Sequence, residues 1–402
     1  MPPAAAMRIL IAHEAPAGAG GVESYLAALM PALAARGHQL AFLHQNPRAD
    51  QGPTRLVDAR MTSASVADDG LDGAIQRVRA WQPDVCFSHN MRPLEVDERL
   101  AAEWPVVKML HGYFGTCVSG QKAHAFPRAT PCSRELGLPC LALYLPRRCG
   151  QLRPLGMFAQ YAWASRQRAL FDSYSHVVVA SAHMAREYRR HGVDDDRLTV
   201  ARLFPTAGGV EAMRPLPATA SVLFMGRMTT VKGAGLLAEA VAAASRLCGN
   251  RIRVVFAGDG PERVRVEHRS RELGIEASFP GWLTGAARAA AFRAATILAV
   301  PSVWPEPFGL VGLEAAAHGV PSIAFDVGGI SEWLRDNESG RLVARDPRAL
   351  GRGIADLCSS PGEIARLGDG AQRVARALSL EAHISILERV FTRAAAARAA
   401  IA

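Results

Sequence analysis

The order of its short apolar runs is what most limits the folds open to this chain. Runs rich in Val, Ile, Leu and Phe alternate with longer Ala-, Leu- and Arg-rich segments along its whole length. Such alternation predicts an α/β fold with parallel sheets covered by helices on both faces. The predicted strands are 8–12, 39–44, 85–89, 106–111, 177–180 and 198–201 in the first half, and 222–225, 251–257, 277–279, 297–300, 322–325 and 341–343 in the second. Predicted helices include 22–36, 234–246 and 286–295.

One stretch interrupts the alternation and predicts a domain boundary. It carries five helix- and strand-breaking residues, Pro205, Gly208, Gly209, Pro215 and Pro217, which are typical of a linker. A chain of 402 residues is also long for a single core. We therefore predict a first domain over 1–204, a linker over 205–220, a second domain over 221–379 and a C-terminal helix over 380–402.

Composition and charge restrict the partners. The formal net charge of +9 favours an anionic partner, although an Arg-rich composition alone explains a basic surface equally well. Aromatic residues make up only 6% of the chain, too few for the stacking surfaces of a single-strand nucleic-acid binder, and we expect no nucleic-acid partner. No apolar run approaches the ~20 residues that span a bilayer, and residues 1–6 do not resemble a secretory signal. The expected location is cytoplasmic.

Glycine-rich turns follow the first strand of each half, where ligands bind in open parallel sheets. Gly20 and Gly21 open the first helix, so backbone N–H groups could approach an anion there. The second-half turn begins at Gly226 and contains Arg227 and Lys232. Two cations at such a turn could hold a diphosphate and stabilise it as a leaving group. The alternative for both turns is a structural loop with solvated charges.

A further turn and an acidic pair lie in the second half. The turn at Gly258 is tight enough for a ribose or phosphate to approach it. Prolines on both sides of Glu306 keep that carboxylate out of a helix and on a loop. Glu314 falls in the helix that follows and is expected to face the same cleft. Structural roles for the two carboxylates, a hydrogen-bonded helix residue and a helix-dipole contact, are the alternative.

These motifs together resemble the retaining glycosyltransferases of family 4, also called glycosyltransferases group 1, which have the two-domain GT-B architecture of facing Rossmann-like domains. The resemblance covers nearly the whole chain. It rests on the Gly20-Gly21-Val22-Glu23 loop, His111-Gly112, Gly226-Arg227 with Lys232-Gly233, Gly258-Asp259-Gly260-Pro261, the Glu306 to Glu314 segment, and Gly328-Gly329 with Glu332. It implies transfer of a hexosyl-type sugar from a nucleotide diphosphate donor to a glycan or lipid-linked acceptor, as in the assembly of bacterial surface polysaccharides.

The resemblance also implies a role for each site residue. Arg227 and Lys232 would bind the donor diphosphate, and His111 and Glu306 would lie at the reacting sugar. The other donor contacts would come from Gly20, Gly21, Gly226, Gly258, Trp282, Phe308, Gly309, Leu310, Val311 and Glu314. Trp282 would lie in the base pocket and Glu314 at the ribose. No metal or other cofactor is expected to be required for catalysis. Retention could follow from front-face attack, which we favour, or from double displacement.

Four clustered cysteines are not part of the family motifs described above. Cys117, Cys132, Cys140 and Cys149 fall in one loop-like insertion, 113–150, with 14, 7 and 8 residues between them. A bound metal, a structural zinc ion or an iron–sulfur cluster, is one explanation. Disulfides and free buried thiols are the others.

Arginines and large apolar residues follow that insertion. Arg147, Arg148 and Arg153 alternate with residues such as Leu152 and Phe158, and no acidic residue occurs between 136 and 171. This pattern could dock on the inner face of an anionic membrane that carries a lipid-linked acceptor. An amphipathic helix packed on the first domain is the alternative.

Three other functions stay open from sequence. A catalytically silent relative would bind a nucleotide or glycan as a scaffold. A basic nucleic-acid binder would show salt-dependent retention of DNA or RNA. An epimerase of related fold is also possible, although the segment from Glu306 to Glu314 fits sugar transfer better. Intact Arg227, Lys232, Glu306 and Glu314 favour the transferase.

Overall fold

The computed structural model describes residues 5–18, 20–45, 54–57, 60–206, 209–211, 217 and 219–399. Eight residues of the predicted linker, 207, 208, 212–216 and 218, lie outside the described residues, Gly208 and Pro215 among them. The last three residues of the predicted C-terminal helix, 400–402, also lie outside. No described helix combines the length and apolar character needed to cross a bilayer.

The first lobe is built on a seven-stranded parallel sheet. In spatial order its strands are Leu198–Val200, His176–Val179, Val106–Leu110, Val85–Ser88, Arg8–Ala12, Gln39–His44 and Thr62–Ser65. Its helices are Gly21–Ala35, Val66–Trp81, Leu94–Glu103, Pro139–Tyr144, Pro154–Ala169 and Ala182–Arg189. Every residue of the central strands 85–88 and 106–110 is buried, as expected of strands covered on both faces.

The second lobe contains a six-stranded parallel sheet. Its strands, in spatial order, are Ala277–Gly281, Arg253–Ala257, Ser221–Met225, Ile297–Val300, Ser322–Phe325 and Gly340–Val343. Its helices are Ala234–Cys248, Arg263–Glu272, Gly285–Ala294, Leu310–Ala317, Pro347–Cys358 and Pro361–Ala377. The predicted architecture of two Rossmann-like sheets is confirmed.

Short elements that apolar patterning could not find complete the lobes. Thr62–Ser65 is a polar edge strand beside Gln39–His44. Two small antiparallel pairs, Ala17–Gly18 with Thr54–Arg55 and Ala123–His124 with Thr130–Pro131, lie outside the main sheets. The short helices Leu170–Ser173, Asp195–Arg197, Thr230–Lys232 and Ile330–Glu332 are of the 3-10 type. These segments are too short or too polar to carry a periodic signal.

The last helix, Leu380–Ala399, leaves the second lobe and packs on the first. His383 hydrogen-bonds the hydroxyl of Tyr25 through Nε2 at 2.8 Å and the carbonyl of Arg202 through Nδ1 at 2.8 Å. Because a carbonyl can only accept, Nδ1 of His383 carries the proton and Nε2 accepts from the tyrosine. Farther along, Glu388 forms an ion pair with Arg36 at 2.8 Å.

Polar contacts of Tyr113 and Glu332 join the lobes beside the cleft. Tyr113 Oη of the first lobe donates to the carbonyl of Pro305 at 2.7 Å. Glu332 of the second lobe accepts from the backbone N–H of Ala182 at 2.6 Å and pairs with Arg202 at 2.5 Å. The loops that carry the predicted site residues are thereby held face to face.

Candidate active site

One cavity of about 440 Å³ lies between the lobes and gathers nearly all the predicted site residues. The first lobe contributes Gly20, Gly21 and His111 to its lining. The second lobe contributes Gly226, Arg227, Lys232, Trp282, Glu306, Phe308, Gly309, Leu310, Val311 and Glu314. The cavity lies at the carboxyl ends of the strands, where the loop after each strand can reach a ligand.

Lys232 and Glu306 form the centre of the second-lobe wall. The Nζ of Lys232 lies 2.6 Å from Oε1 of Glu306 and 4.4 Å from the ring centroid of Trp304. The Ser302 hydroxyl donates to the same carboxylate oxygen at 2.5 Å. Glu306 is buried, so its negative charge is matched by these contacts as a buried carboxylate requires. Trp304 also lines the cavity, and its indole N–H is buried and has no hydrogen-bond partner among the described residues.

The loop that carries Glu306 is fixed by its own sequence and by a glycine pair. Pro305 and Pro307 keep it out of the helix that begins at Leu310. Gly329 N donates to the carbonyl of Glu306 at 2.6 Å. Its neighbour Gly328 has φ +62°, and a Cβ there would collide with the backbone of Glu306. A glycine is therefore needed where the two loops touch.

Glu314 is buried in the following helix and has two partners. Its Oε1 accepts from the Thr206 hydroxyl at 2.9 Å, and its Oε2 forms a close ion pair with Arg288. Arg288 projects from the helix Gly285–Ala294 and lines the same cavity. The buried carboxylate is thus neutralised by a cation at the cavity wall.

Arg227 and Gly258 have different surroundings from those of the ion-paired residues. Arg227 is exposed at the cavity wall, and within the described ranges no carboxylate forms an ion pair with it. Gly258, one of the predicted donor contacts, is not among the residues that line the cavity. It has φ +135°, and a Cβ there would collide with the carbonyl of Gly226. The turn at Gly258 therefore packs behind the turn at Gly226, and its predicted donor contact stays a prediction.

Trp282 lies at the outer end of the cavity. Its side chain is 54% exposed, unusually open for a large aromatic residue. It follows the edge strand Ala277–Gly281 and lines the cavity with Leu283 and Thr284. An exposed indole face at a cavity mouth can stack on a planar ring.

The described part of the first-lobe wall contains one histidine, His111, which a second histidine backs. His111 Nε2 lies 3.0 Å from Nδ1 of His89, and the rings are stacked at 5.3 Å. Burial, reinforced by the neighbouring His13 and Lys108, lowers the pKa of His111 to about 3. Burial likewise lowers the pKa of His89 well below its usual range. At neutral pH His111 is therefore an uncharged hydrogen-bonding group rather than a cation.

Glu23 supports the glycine turn of the first lobe. It lies in the first turn of the helix Gly21–Ala35 and pairs with His13 at 3.4 Å. The hydrogen bond from His13 lowers the pKa of Glu23. The carboxylate fills the space beside Gly18 and Gly20, which orders the turn and leaves the Gly20-Gly21 backbone facing the cavity.

The four cysteines of the insertion are free thiols. Burial, reinforced by the other three thiols, raises the pKa of Cys149 to about 12, and burial also raises the pKa of Cys132. His124 Nδ1 lies 3.4 Å from the Cys149 sulfur. Across the described ranges, however, no three His, Cys, Asp or Glu side chains are grouped to hold a metal ion. Zinc at these cysteines stays a prediction, which the metal content of the purified protein would test.

Two family models match this chain. The model described as Glycosyltransferase Family 4 matches residues 19–202, and the model described as Glycosyl transferases group 1 matches residues 219–360. Each model covers one lobe, and the two together cover well over half of the chain. This chain belongs to the family 4, group 1 glycosyltransferases. The family 4 assignment agrees with the motifs at the cleft.

Curated relatives of this family 4 chain match in part or nearly in full. The D-inositol 3-phosphate glycosyltransferase of Salinispora tropica is 36% identical over 187 residues, 44% of this chain and 38% of the relative. The phosphatidyl-myo-inositol mannosyltransferase of Mycobacterium leprae is 26% identical over 361 residues, 84% of this chain and 83% of the relative. The chain thus spans less than half the length of the first curated relatives that it matches.

Solved structures share the fold over almost the entire chain. Sucrose-phosphate synthase of Thermosynechococcus elongatus has a TM-score of 0.70 at 21% identity, over 97% of this chain and 100% of that one. HepE of Anabaena, solved in complex with UDP, has a TM-score of 0.68 at 16% identity, over 96% of this chain and 100% of that one. At these identities the likeness concerns the fold alone.

Several residues of the site were not found by sequence reasoning. They are His89, Thr206, Arg288, Ser302 and Trp304. Ser302 and Trp304 lie in the same loop as Glu306, and this closeness in sequence could have indicated that they contact the site. Arg288 is a single arginine on an Ala-rich helix, and no local pattern distinguishes it from a surface charge.

Proposed function

We propose that this chain is a retaining glycosyltransferase that moves a hexosyl-type sugar from a nucleotide diphosphate donor to a hydroxyl acceptor on a glycan or lipid. The observation that carries the proposal is the single cavity lined by Arg227 and Lys232, the carboxylates of Glu306 and Glu314, and the Gly20-Gly21 turn of the opposite lobe. A diphosphate needs cations and N–H donors, while a sugar and a ribose need hydroxyl-binding carboxylates. The cavity offers both sets.

Arg227 and Lys232 would stabilise the leaving diphosphate. Arg227 is available for a phosphate oxygen because no described carboxylate pairs with it. Lys232 is held at Glu306 and over Trp304, which fixes its charge at the inner wall. Fixed cations stabilise charge that develops on the leaving oxygens without a reorganisation cost during the reaction. The helix that starts at Leu310 adds its N-terminal N–H groups on the same side.

Retention by front-face attack suits the surroundings of Glu306 better than double displacement. A nucleophilic carboxylate needs a free oxygen directed at the anomeric carbon. In Glu306, Oε1 accepts from Ser302 and pairs with Lys232. The carboxylate charge is therefore balanced by a cation, and Oε2 is the oxygen left for donor hydroxyls. We infer that Glu306 binds donor hydroxyls, that the departing phosphate oxygen takes the acceptor proton, and that His111 assists as a neutral hydrogen-bonding group.

Glu314 would bind the ribose of the donor nucleotide, and Trp282 would stack on its base. HepE of Anabaena was solved with UDP, which supports a nucleotide in this cleft. The relatives from Salinispora and Mycobacterium are named for inositol phosphate and phosphatidyl-myo-inositol substrates. These names favour a hydroxylated acceptor that carries phosphate, free or in a lipid, over a neutral polysaccharide chain.

We also propose that an exposed surface formed by the insertion and by residues 151–158, which follow it, contacts an anionic membrane. Five of the large apolar side chains that are exposed in the described chain lie here: Phe126, Leu138, Leu152, Leu155 and Phe158. Five exposed arginines accompany them: Arg128, Arg134, Arg147, Arg148 and Arg153. Arg148 lies over the ring of Phe126 at 4.9 Å, and no described carboxylate forms an ion pair with any of the five arginines. Apolar side chains beside uncompensated cations suit an interface with anionic lipid. We call these ten residues the insertion surface.

A donor screen followed by product analysis tests the proposal. Thermal shift with UDP-, GDP- and ADP-sugars identifies the donor, since a ligand that binds the folded state raises its melting temperature. NMR of the product of donor hydrolysis or transfer then gives the anomeric configuration. We expect stabilisation by one nucleotide class and a retained configuration. An inverted product refutes the retaining proposal, and nucleotide binding without any turnover indicates the silent scaffold instead.

A further inference from the structure

Tyr113 is a buried residue of the first lobe whose hydroxyl reaches the second lobe. It directly follows the His111-Gly112 motif and begins the insertion. Its side chain is fully buried, and it is not among the residues that line the cleft cavity. Its Oη donates to the carbonyl of Pro305, the residue before Glu306, at 2.7 Å. The hydroxyl therefore contacts the site loop from behind and does not face a substrate in the cleft.

The loop around Glu306 has few backbone donors of its own. The prolines on both sides of Glu306 carry no N–H group, so hydrogen bonds of the helix or strand type cannot fix this stretch. Its carbonyls are held instead. The carbonyl of Glu306 accepts from Gly329 N at 2.6 Å, and the carbonyl of Phe308 accepts from Trp333 Nε1 at 2.6 Å. Both of these donors belong to the second lobe.

The carbonyl of Pro305, by contrast, is held from the first lobe. Pro305 is buried, and in the described ranges the Tyr113 hydroxyl is the only donor that reaches its carbonyl. Without that hydroxyl the carbonyl would be buried and unpaired, which costs free energy unless the loop moves to recover a partner. The Tyr113 hydroxyl therefore constrains the residue that immediately precedes Glu306.

The ring of Tyr113 supports the same loop. It packs edge-on against Trp304, with ring centroids 6.4 Å apart and an interplanar angle of 82°. Trp304 in turn lies under the Lys232 ammonium, which pairs with Glu306. Tyr113 thus contacts both residues that precede Glu306, one through its hydroxyl and the other through its ring.

Tyr113 is itself held in place by a second tyrosine of the first lobe. The Tyr188 hydroxyl lies 2.7 Å from the carbonyl of Gly112 and 3.1 Å from that of Phe114, so it hydrogen-bonds on both sides of Tyr113. Burial raises the pKa of Tyr113 well above its usual range, which keeps its hydroxyl protonated and able to donate. A donor fixed in this way can hold the site loop in one position.

We propose that Tyr113 is a positioning residue for the transfer reaction: through the carbonyl of Pro305 it sets, from the first lobe, the place of the Glu306 carboxylate on the second. The inference rests on the proposed function, in which Glu306 binds donor hydroxyls during transfer. The proposed nucleotide contacts, Arg227 and Glu314, do not use this hydrogen bond. Its loss should therefore impair turnover rather than nucleotide binding.

Tyr113→Phe tests the inference, because it removes the hydroxyl and keeps the buried ring. We expect kcat for turnover of the donor sugar to fall about tenfold or more, since a small displacement of a group at the reacting centre has an effect of at least this size. The dissociation constant of the matching nucleoside diphosphate, measured by calorimetry, should stay within about twofold of wild type.

Tyr174→Phe is the matched control. The Tyr174 hydroxyl is also buried, but it donates to Asp97 at 2.9 Å within the first lobe. The same chemical change should therefore leave kcat within about twofold of wild type.

A double-mutant cycle tests whether Tyr113 acts through Glu306. In a Glu306→Gln background, Tyr113→Phe should lower kcat by less than about twofold, because the carboxylate that it positions is already lost. An equal loss of kcat in both backgrounds would overturn the inference, as would a Tyr113→Phe variant as active as Tyr174→Phe. Loss of nucleoside diphosphate binding in Tyr113→Phe would also overturn it, since the residue would then support the fold as a whole. Wild-type protein that binds the nucleotide but turns over no donor refutes the proposed function instead.

Discussion

The two walls of the cleft are built from different chemistry. On the second lobe, two buried carboxylates are each paired with a cation, Glu306 with Lys232 and Glu314 with Arg288. On the first lobe, the facing groups are a glycine turn and the uncharged His111 backed by His89. One wall holds fixed charges that suit a charged donor, and the other holds neutral hydrogen-bonding groups that suit an acceptor hydroxyl. The proposed roles of the two lobes, donor binding by the second and acceptor binding by the first, rest on this difference, which the following experiments test.

The largest effect is expected from the cations of the second lobe. Arg227→Ala and Lys232→Ala should each lower kcat/KM by roughly 10²-fold or more, because each removes stabilisation of the leaving diphosphate. Steady-state kinetics with the donor identified by the screen measures this. Arg265→Ala, which removes a 70% exposed side chain of the same lobe, is the matched control. A kcat/KM within a few-fold of wild type in both variants would show that these charges of the second-lobe wall do not stabilise the diphosphate.

A smaller effect is expected from Glu314. Glu314→Gln removes the charge that neutralises Arg288 and the proposed ribose contact, so the donor KM should rise about tenfold, on the scale of one charge-assisted hydrogen bond. Its kcat should change less, since the ribose is remote from the reacting bond. Glu239→Gln, at an exposed ion pair, serves as the comparison variant. A loss confined to kcat would contradict the ribose assignment.

Acidification should destabilise the fold because histidines buried in and against the first lobe stay uncharged in the folded state. Burial lowers the pKa of His383 to about 4, as it lowers that of His111 to about 3. The unfolded chain, with histidine near 6.5, therefore takes up protons that the folded chain does not. The free energy of unfolding should fall as pH drops from about 6.5 through 4, by at most about 1.4 kcal/mol per pH unit for each such histidine.

Urea unfolding at pH 7.5, 6.5, 5.5 and 4.5 checks the histidine prediction. His383→Gln should flatten the pH dependence relative to wild type. His268→Gln, which changes a 67% exposed histidine of the second lobe, should leave it parallel to wild type. If the free energy of unfolding of His383→Gln depends on pH as steeply as that of wild type, the buried neutral histidine is not the cause of the acid destabilisation.

The smallest effect concerns the insertion surface, which belongs to the acceptor side alone. Arg153→Ser should weaken binding to phosphatidylglycerol vesicles about fivefold, since one arginine near an anionic surface contributes about 1 kcal/mol. Co-sedimentation measures this, with phosphatidylcholine vesicles and the second-lobe variant Arg246→Ser as controls. Equal binding to both lipids, or an equal loss in Arg246→Ser, would refute a membrane role for this surface.

The second-lobe wall was largely predictable because its signals are local in sequence. Prolines on both sides of Glu306 exclude a helix, and the spacing to Glu314 places the second carboxylate within the helix that follows. Glycines flank Arg227 and Lys232 directly after a strand. Such constraints depend on neighbouring residues and survive without knowledge of the tertiary fold.

The partners of those residues were not predictable, because they come from distant segments. Thr206 reaches Glu314 across 108 positions, and Arg288 lies on a separate helix. Glu332 was part of a recognised motif, yet its contacts to Ala182 and Arg202 on the other lobe depend on how the lobes meet. The edge strand Thr62–Ser65 escaped prediction because it has no apolar alternation.

The most direct test is a crystal structure of the wild type with the nucleotide diphosphate that stabilises it most. We expect pyrophosphate oxygens about 3 Å from both the Arg227 guanidinium and the Lys232 ammonium, with the Gly20-Gly21 turn facing them from the first lobe. A nucleotide bound outside the cleft, or a pyrophosphate in contact with neither cation, would contradict this expectation.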